Sequence, residues 1–166
     1  MADELIGYVT LEQADEYVTT HFLSEDPVRE TWEDLDEDDK SVLLLKSFET
    51  IETLPFTGRK TCPEQPNAFP RYPSETVPQA VKAAQIANAV ASADSSTAEE
   101  AAHYGRLWQF GVQSYSIGNL TEHISEGAWS SGSTTSAATG IVSADASRLL
   151  KPFLSGSFSI KGGRCV

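Results

Sequence analysis

The chain has 166 residues, a length that suits one domain with appendages. Its 12 Lys+Arg stand against 24 Asp+Glu, a formal net charge of −12, and the imbalance lies in the front: residues 1–54 carry a net of −13 and 55–166 a net of +1. An acidic front half repels phosphate, which argues against a chain built for tight nonspecific nucleic-acid binding, a task that needs clustered Lys and Arg.

From the N-terminus, MADELIGYVT carries acids where a signal peptide needs a basic region, and the chain holds no apolar run of about 18 residues. Synthesis in a cytoplasm and no membrane association are expected. Thr10 and Gln13 form a capping box for a helix from Leu11 to about Phe22, with Leu11, Ala14, Tyr17, Val18 and Phe22 on its buried stripe. Asp26-Pro27 reads as cap and first-turn proline of a short helix ending near Trp32.

The run Glu33–Asp39 holds six acids in seven residues. Asp34, Asp36 and Asp38 have the spacing of a calcium loop, but Asp39 and Leu45 stand where that loop needs Gly and Glu. The run therefore reads as solvated acids at a helix N-terminus, where the macrodipole favours them. The helix spans about Glu37 to Thr53, with Leu44, Leu45, Phe48 and Ile51 beside Glu52 on its core side, and Leu54-Pro55 closes it.

FTGRKTCPEQPNAFPR, residues 56–71, is a crossover pinned by Pro63, Pro66 and Pro70. Thr76 is expected to cap the next helix, with Pro78 early in it. That helix is rich in Ala and has Val77, Val81, Ala84 and Ala87 or Ile86 on one face, so another helix can approach closely. Thr97 and Glu100 repeat the capping logic for a short helix to about Trp108. The period then changes: Val112, Tyr115, Ile117, Leu120 and Ile124 alternate with polar residues around Gly118-Asn119, a hairpin signal. A Ser/Thr/Gly-rich linker follows, and Ser143 caps a last helix to about Leu150. Beyond it Pro152, Phe153, Leu154, Phe158, Ile160 and Val166 make an apolar tail with little local reason to fold alone.

No nucleophile elbow, P-loop, zinc-protease or dinucleotide motif occurs. Cys62 and Cys165 fit no ligand spacing and read as free thiols. His21, His103 and His123 stand on separate elements; the spacing of His103 to Glu99 and Glu100 is explained by a helix surface. No catalysis, metal or cofactor is expected. Gly58-Arg59-Lys60 with Arg71 lacks a phosphate cradle but suits an acidic surface, including the acidic helix of a second copy. A chain with separate acidic and cationic regions can pair head to tail, and such contacts close into rings.

Several motifs occur together in one order: Tyr8-Val9-Thr10-Leu11-Glu12-Gln13-Ala14-Asp15-Glu16-Tyr17, Trp32, Ile51-Glu52-Thr53-Leu54, Phe56-Thr57-Gly58-Arg59-Lys60-Thr61, Gln65, Phe69-Pro70-Arg71 and Val77-Pro78-Gln79-Ala80-Val81-Lys82. In that order the chain resembles a phage family labelled head-tail connector or adaptor proteins, a family that also carries the label DnaT-like single-stranded DNA-binding proteins. The likeness covers most of 8–93 and returns at Leu149-Leu150-Lys151-Pro152-Phe153-Leu154; Phe69 stands where the family has Trp. The resemblance implies a small antiparallel helical bundle with a β-hairpin or extended arms. It also implies a homo-oligomeric, twelve-subunit ring beneath the portal protein, above a tail or head-completion protein, extending the channel through which DNA leaves the head.

The fold expected is mainly α: a helical bundle core over 1–109, a β-hairpin arm at 110–125, a linker at 126–143, and a docking helix and extended C-terminal tail at 144–166. The function expected is that of a structural virion neck protein at the head-tail junction, through which DNA slides past an acidic lumen without specific binding. Its expected subunit or portal contacts are Arg59, Lys60, Phe69, Arg71, Leu149, Leu150, Phe153, Leu154, Phe158 and Ile160. Removal of 141–166 is expected to leave a folded monomer. The alternative is a single-stranded DNA-binding module that uses Arg59, Lys60 and Arg71 as cations and Phe69 and Tyr72 as stacking platforms.

Overall fold

Side-chain caps fix the starts of the first three helices. The computed structural model describes residues 5–94, 114–117, 120–123 and 140–155. Helix α1 (Leu11–His21) begins at Thr10, whose hydroxyl accepts the Gln13 N–H while the Gln13 side chain accepts the Thr10 N–H. This is the capping box read from the sequence. Helix α2 (Pro27–Glu33) begins at Asp26, whose carboxylate accepts the Val28 N–H, with Pro27 where a missing donor costs little. Helix α3 (Glu37–Glu52) begins at Asp36, which accepts the Asp39 N–H. Glu37, Asp38 and Asp39 fill its first turn, so the acidic run is a cap and a favourable helix start.

The buried face of α3 differs from the one expected. Leu44, Ser47 and Ile51 point inward and Leu45 is exposed. A seven-residue seam faces the neighbouring helix, and Leu45 lies about 100° round the helix from Leu44. Ser47 is tolerated in that seam because its hydroxyl donates to the Gln85 carbonyl at 2.7 Å.

Helix α4 (Gln79–Ala93) starts at Pro78 without a side-chain cap. The expected Thr76 cap is not used, because the residue before a proline is pushed out of the helical region and Val77 cannot form a first turn. Residues 84–90 are buried without a break, so α4 lies at the centre of the bundle. Its small side chains let α3 pack closely on it.

Strands β1 (Ser114–Ile117) and β2 (Leu120–His123) pair antiparallel, with Ser114 opposite His123 and Ile117 opposite Leu120. The described residues give this four-residue ladder alone and do not support an arm spanning 110–125. The helix expected from Thr97 to Trp108, most of the linker, and Phe158 and Ile160 fall outside the described residues.

Helix α5 (Ala144–Leu150) is capped by the Ser143 hydroxyl, which accepts the Ala146 N–H, and runs into a 3-10 turn at Lys151–Phe153. Its main partner is α4. Ile141, Ala146 and Leu150 are fully buried in the same core as Trp32, Leu44 and Ile51. Residues 141–154 therefore have a core of their own chain to join, contrary to the expectation of a tail without one. Local sequence could not disclose it, since the partners lie on α4 and on the 56–71 crossover.

Candidate functional site

The crossover is a rigid, hydrogen-bonded platform. Lys60 and Arg71 face each other across an antiparallel bridge, in which the Thr61 N–H donates to Pro70 at 3.2 Å and the Tyr72 N–H to Arg59 at 2.9 Å. Gly58 turns the chain at φ +79°, where a Cβ would be strained. The Phe69–Pro70 and Tyr72–Pro73 peptide bonds are cis.

Its cations are mostly spent inside it. The Arg71 guanidinium donates to Thr57 at 2.7 Å, to Ala68 and Phe56 at 3.2 Å, and to Gly58, so four backbone carbonyls share one planar fork. The Lys60 ammonium donates to the Gln65 and Pro66 carbonyls at 3.0 and 3.2 Å. Gln65 ties the far side, donating to Asn67 and Pro70 and accepting the Cys62 N–H.

Beneath the platform Phe69 is only 3 % exposed. It meets Phe56, Phe153 and Tyr8 edge-on, with ring centroids 4.7, 5.8 and 6.1 Å away. The Glu52 carboxylate accepts the Tyr8 hydroxyl through one oxygen and the Ala68 N–H through the other at 2.7 Å, while the Phe69 N–H donates to the Tyr8 hydroxyl oxygen at 3.1 Å. Burial foremost, then the hydrogen bond to Glu52, pushes the Tyr8 phenol well above its ordinary range. The C-terminal segment closes the same layer: Leu154 bridges Phe56, and Thr57 donates its N–H to the Phe153 carbonyl at 2.7 Å.

Of the expected contact residues, Lys60, Phe69, Arg71, Leu150, Phe153 and Leu154 are thus engaged within the chain's own fold, and Leu149 packs half-buried against the core. Arg59 is different. It is exposed, and its guanidinium lies over the ring of Tyr72 at 4.7 Å, itself 62 % exposed. That stacked cation is the platform's free chemistry.

Sequence reasoning missed three polar residues that organise the bundle. Gln85 accepts the Tyr8 N–H at 3.0 Å and donates to the Ile6 and Leu44 carbonyls at 2.9 and 3.0 Å. Asn88 donates to the Ser47 hydroxyl at 3.3 Å and accepts the Val142 N–H at 2.8 Å. Among the described residues no buried side-chain polar atom lacks a partner. The one available signal was polar Gln and Asn interrupting a helix otherwise made of small apolar residues.

Among the described residues no three His, Cys, Asp or Glu side chains converge as metal ligands, and no helix is long and apolar enough to cross a membrane. His21 Nδ1 lies 2.9 Å from the Tyr17 backbone carbonyl and its ring stacks on Tyr17, and no acidic side chain pairs with it among the described residues. A family model described as "Putative DnaT-like ssDNA binding protein" matches residues 6–165. No curated protein and no solved structure matches the chain.

Proposed function

Since the chain belongs to the DnaT-like ssDNA binding protein family, and since Lys60 and Arg71 of the crossover are bonded to the chain's own backbone, we propose that it acts as a non-catalytic assembly subunit. In this reading it is a head-tail connector of the virion neck, forming a ring with its own copies under the portal and lining a path for DNA. One observation carries the proposal against its rival. Of the five residues a single-strand binding face would need, Phe69 is buried, Arg71 is saturated by four carbonyls and Lys60 caps two more. The net charge of −12 acts in the same direction, because each phosphate brought to the surface meets long-range repulsion.

The family match by itself favours the second reading, a single-stranded DNA-binding module. The exposed Arg59–Tyr72 stack is the feature it would use, since a base can lie on such a ring in any sequence context. One stacked base contributes about 1–3 kcal/mol, too little to hold a strand without a charged groove beside it.

A fluorescent single-stranded oligonucleotide, titrated at ~0.15 M salt where exposed charges are screened beyond about 8 Å, separates the two. The connector reading expects no binding, and expects rings in particle images of the protein mixed with its portal. Salt-sensitive binding that disappears in Tyr72→Ala would replace it with the DNA-binding reading.

A further inference from the structure

Helix α3 carries an outward stripe that its own fold leaves bare. Asp38, Val42, Leu45 and Glu49 follow one another at helical intervals, and all four are exposed, Val42 at 48 % and Leu45 at 47 %. Neither Asp38 nor Glu49 has a side-chain partner among the described residues, whereas Lys40, on another side of the helix, is held by Asp15 at 3.2 Å. Lys46, one turn before Glu49 on the same helix, is also exposed. Two branched apolar side chains framed by two free carboxylates make a surface that an aromatic ring carrying a cation would match.

The chain owns such a group. Tyr72 presents an exposed ring, and Arg59 lies over it with no acceptor for its side-chain N–H groups among the described residues. The Lys60–Arg71 bridge fixes the backbone beneath, so little backbone entropy remains to be lost on docking.

We propose that the Arg59–Tyr72 stack of one copy docks on the Asp38–Val42–Leu45–Glu49 stripe of the next. Tyr72 covers Val42 and Leu45, and Arg59 meets Glu49 or Asp38. The two patches differ, so the contact is heterologous and can repeat from copy to copy, closing a ring. Charge complementarity selects the occupant: the first 54 residues carry −13 and repel the same region of another copy, whereas a free cation from residues 55–166, which carry a net of +1, is attracted. The inference rests on the assembly reading and adds the surfaces through which assembly occurs.

The test is sedimentation velocity of the full chain over a concentration series in ~0.15 M salt, where whole-chain repulsion is screened beyond about 8 Å and a contact pair is not. The variants are Arg59→Glu, Glu49→Arg, the Arg59→Glu/Glu49→Arg charge swap, and Leu45→Glu, each checked for unchanged helicity by circular dichroism. Wild type is expected to self-associate, Arg59→Glu and Leu45→Glu to weaken association at least tenfold, and the charge swap to recover more of it than either of its single changes. Single variants that assemble like wild type, or a wild type that stays monomeric throughout, would overturn these surfaces. Failure of the assembly reading itself shows separately, as oligonucleotide binding by the same wild-type sample.

Discussion

The side-chain oxygen of Asn88 accepts the backbone N–H of Val142 at 2.8 Å, joining the middle of the central helix to a residue 54 positions further along the chain. The same oxygen also takes the Ser143 N–H at 3.4 Å, one step before the Ser143 hydroxyl caps α5. One carboxamide thus fixes where the last helix starts.

Replacing Asn88 by Ala should strip the acceptor from the Val142 and Ser143 N–H groups, while the Ser47 hydroxyl keeps its bond to the Gln85 carbonyl. Each unsatisfied buried group costs about 1–3 kcal/mol. Urea denaturation should show that loss, and hydrogen exchange should show the Val142 amide opening faster than amides of α1. Unchanged protection of Val142 would contradict its assigned partner.

Gln85→Ala should be at least as damaging, because the Tyr8 N–H loses its acceptor and the Ile6 and Leu44 carbonyls each lose a donor together. Ser47 donates to the Gln85 backbone carbonyl, a bond that Gln85→Ala leaves in place, and accepts from the Asn88 side chain. A double-mutant cycle between Ser47→Ala and Asn88→Ala, whose side chains bond each other directly, should give an interaction energy of about 0.5–3 kcal/mol, and strict additivity would speak against that hydrogen bond.

Two arginines of one loop should behave oppositely. Arg71→Lys keeps the charge but cannot serve four carbonyls from a planar fork, and it should cost about 2 kcal/mol in chemical denaturation. Arg59→Ala, exposed and without a hydrogen-bonded partner, should stay within about 0.5 kcal/mol of wild type. Equal losses at the two sites would refute the division between structural and free cation.

Tyr8 supplies a pH dependence. Burial, then Glu52, raises its folded-state pKa, so the folded protein holds the phenol proton more tightly than the unfolded chain does. Its contribution is complete below the unfolded value of about 10 and is lost as pH rises from there toward the folded value. Tyr17, raised first by burial and then by Asp145, acts in the same direction. For Tyr8, stability should fall above pH ~10 by up to about 1.4 kcal/mol per pH unit. Tyr8→Phe should be less stable at neutral pH, since the Phe69 N–H loses its acceptor, and should lose less on going to high pH. Denaturation profiles from pH 9 to 11 decide it.

Removing 141–166, expected from sequence to leave a folded monomer, should instead unfold the bundle or lower its midpoint steeply. It deletes Ile141 and Leu150, each contributing about 1.5–3 kcal/mol by burial, and opens the α4 face they cover. A truncated chain with the wild-type midpoint would show that this packing contributes nothing.

What the sequence disclosed was local. Thr10 with Gln13, Asp26 with Pro27, and Ser143 each mark a helix start through partners two or three residues away, and the structure uses all three. Thr76 failed by the same kind of local rule, the restriction that Pro78 imposes on Val77. The candidate site was less legible because its decisive bonds are not local. Arg71 looked free until its carbonyl partners at Phe56, Thr57 and Gly58 folded around it. Gln85 sits 79 residues from Ile6 and 41 from Leu44, and no periodicity announces a polar residue whose partners are that distant.

The two buried carboxamides of α4, Gln85 and Asn88, also dictate an order of events during synthesis. Gln85 can engage the Ile6–Tyr8 backbone as soon as α4 has left the ribosome, because that partner was made first. Asn88 must wait for Val142. Until then the nascent bundle shows an uncovered seam on its central helix, with a polar acceptor in the middle of it. The segment 141–154 therefore works as the latch of the fold: the bundle closes only once those residues have been made, which keeps chains lacking them out of any assembly that requires the closed shape.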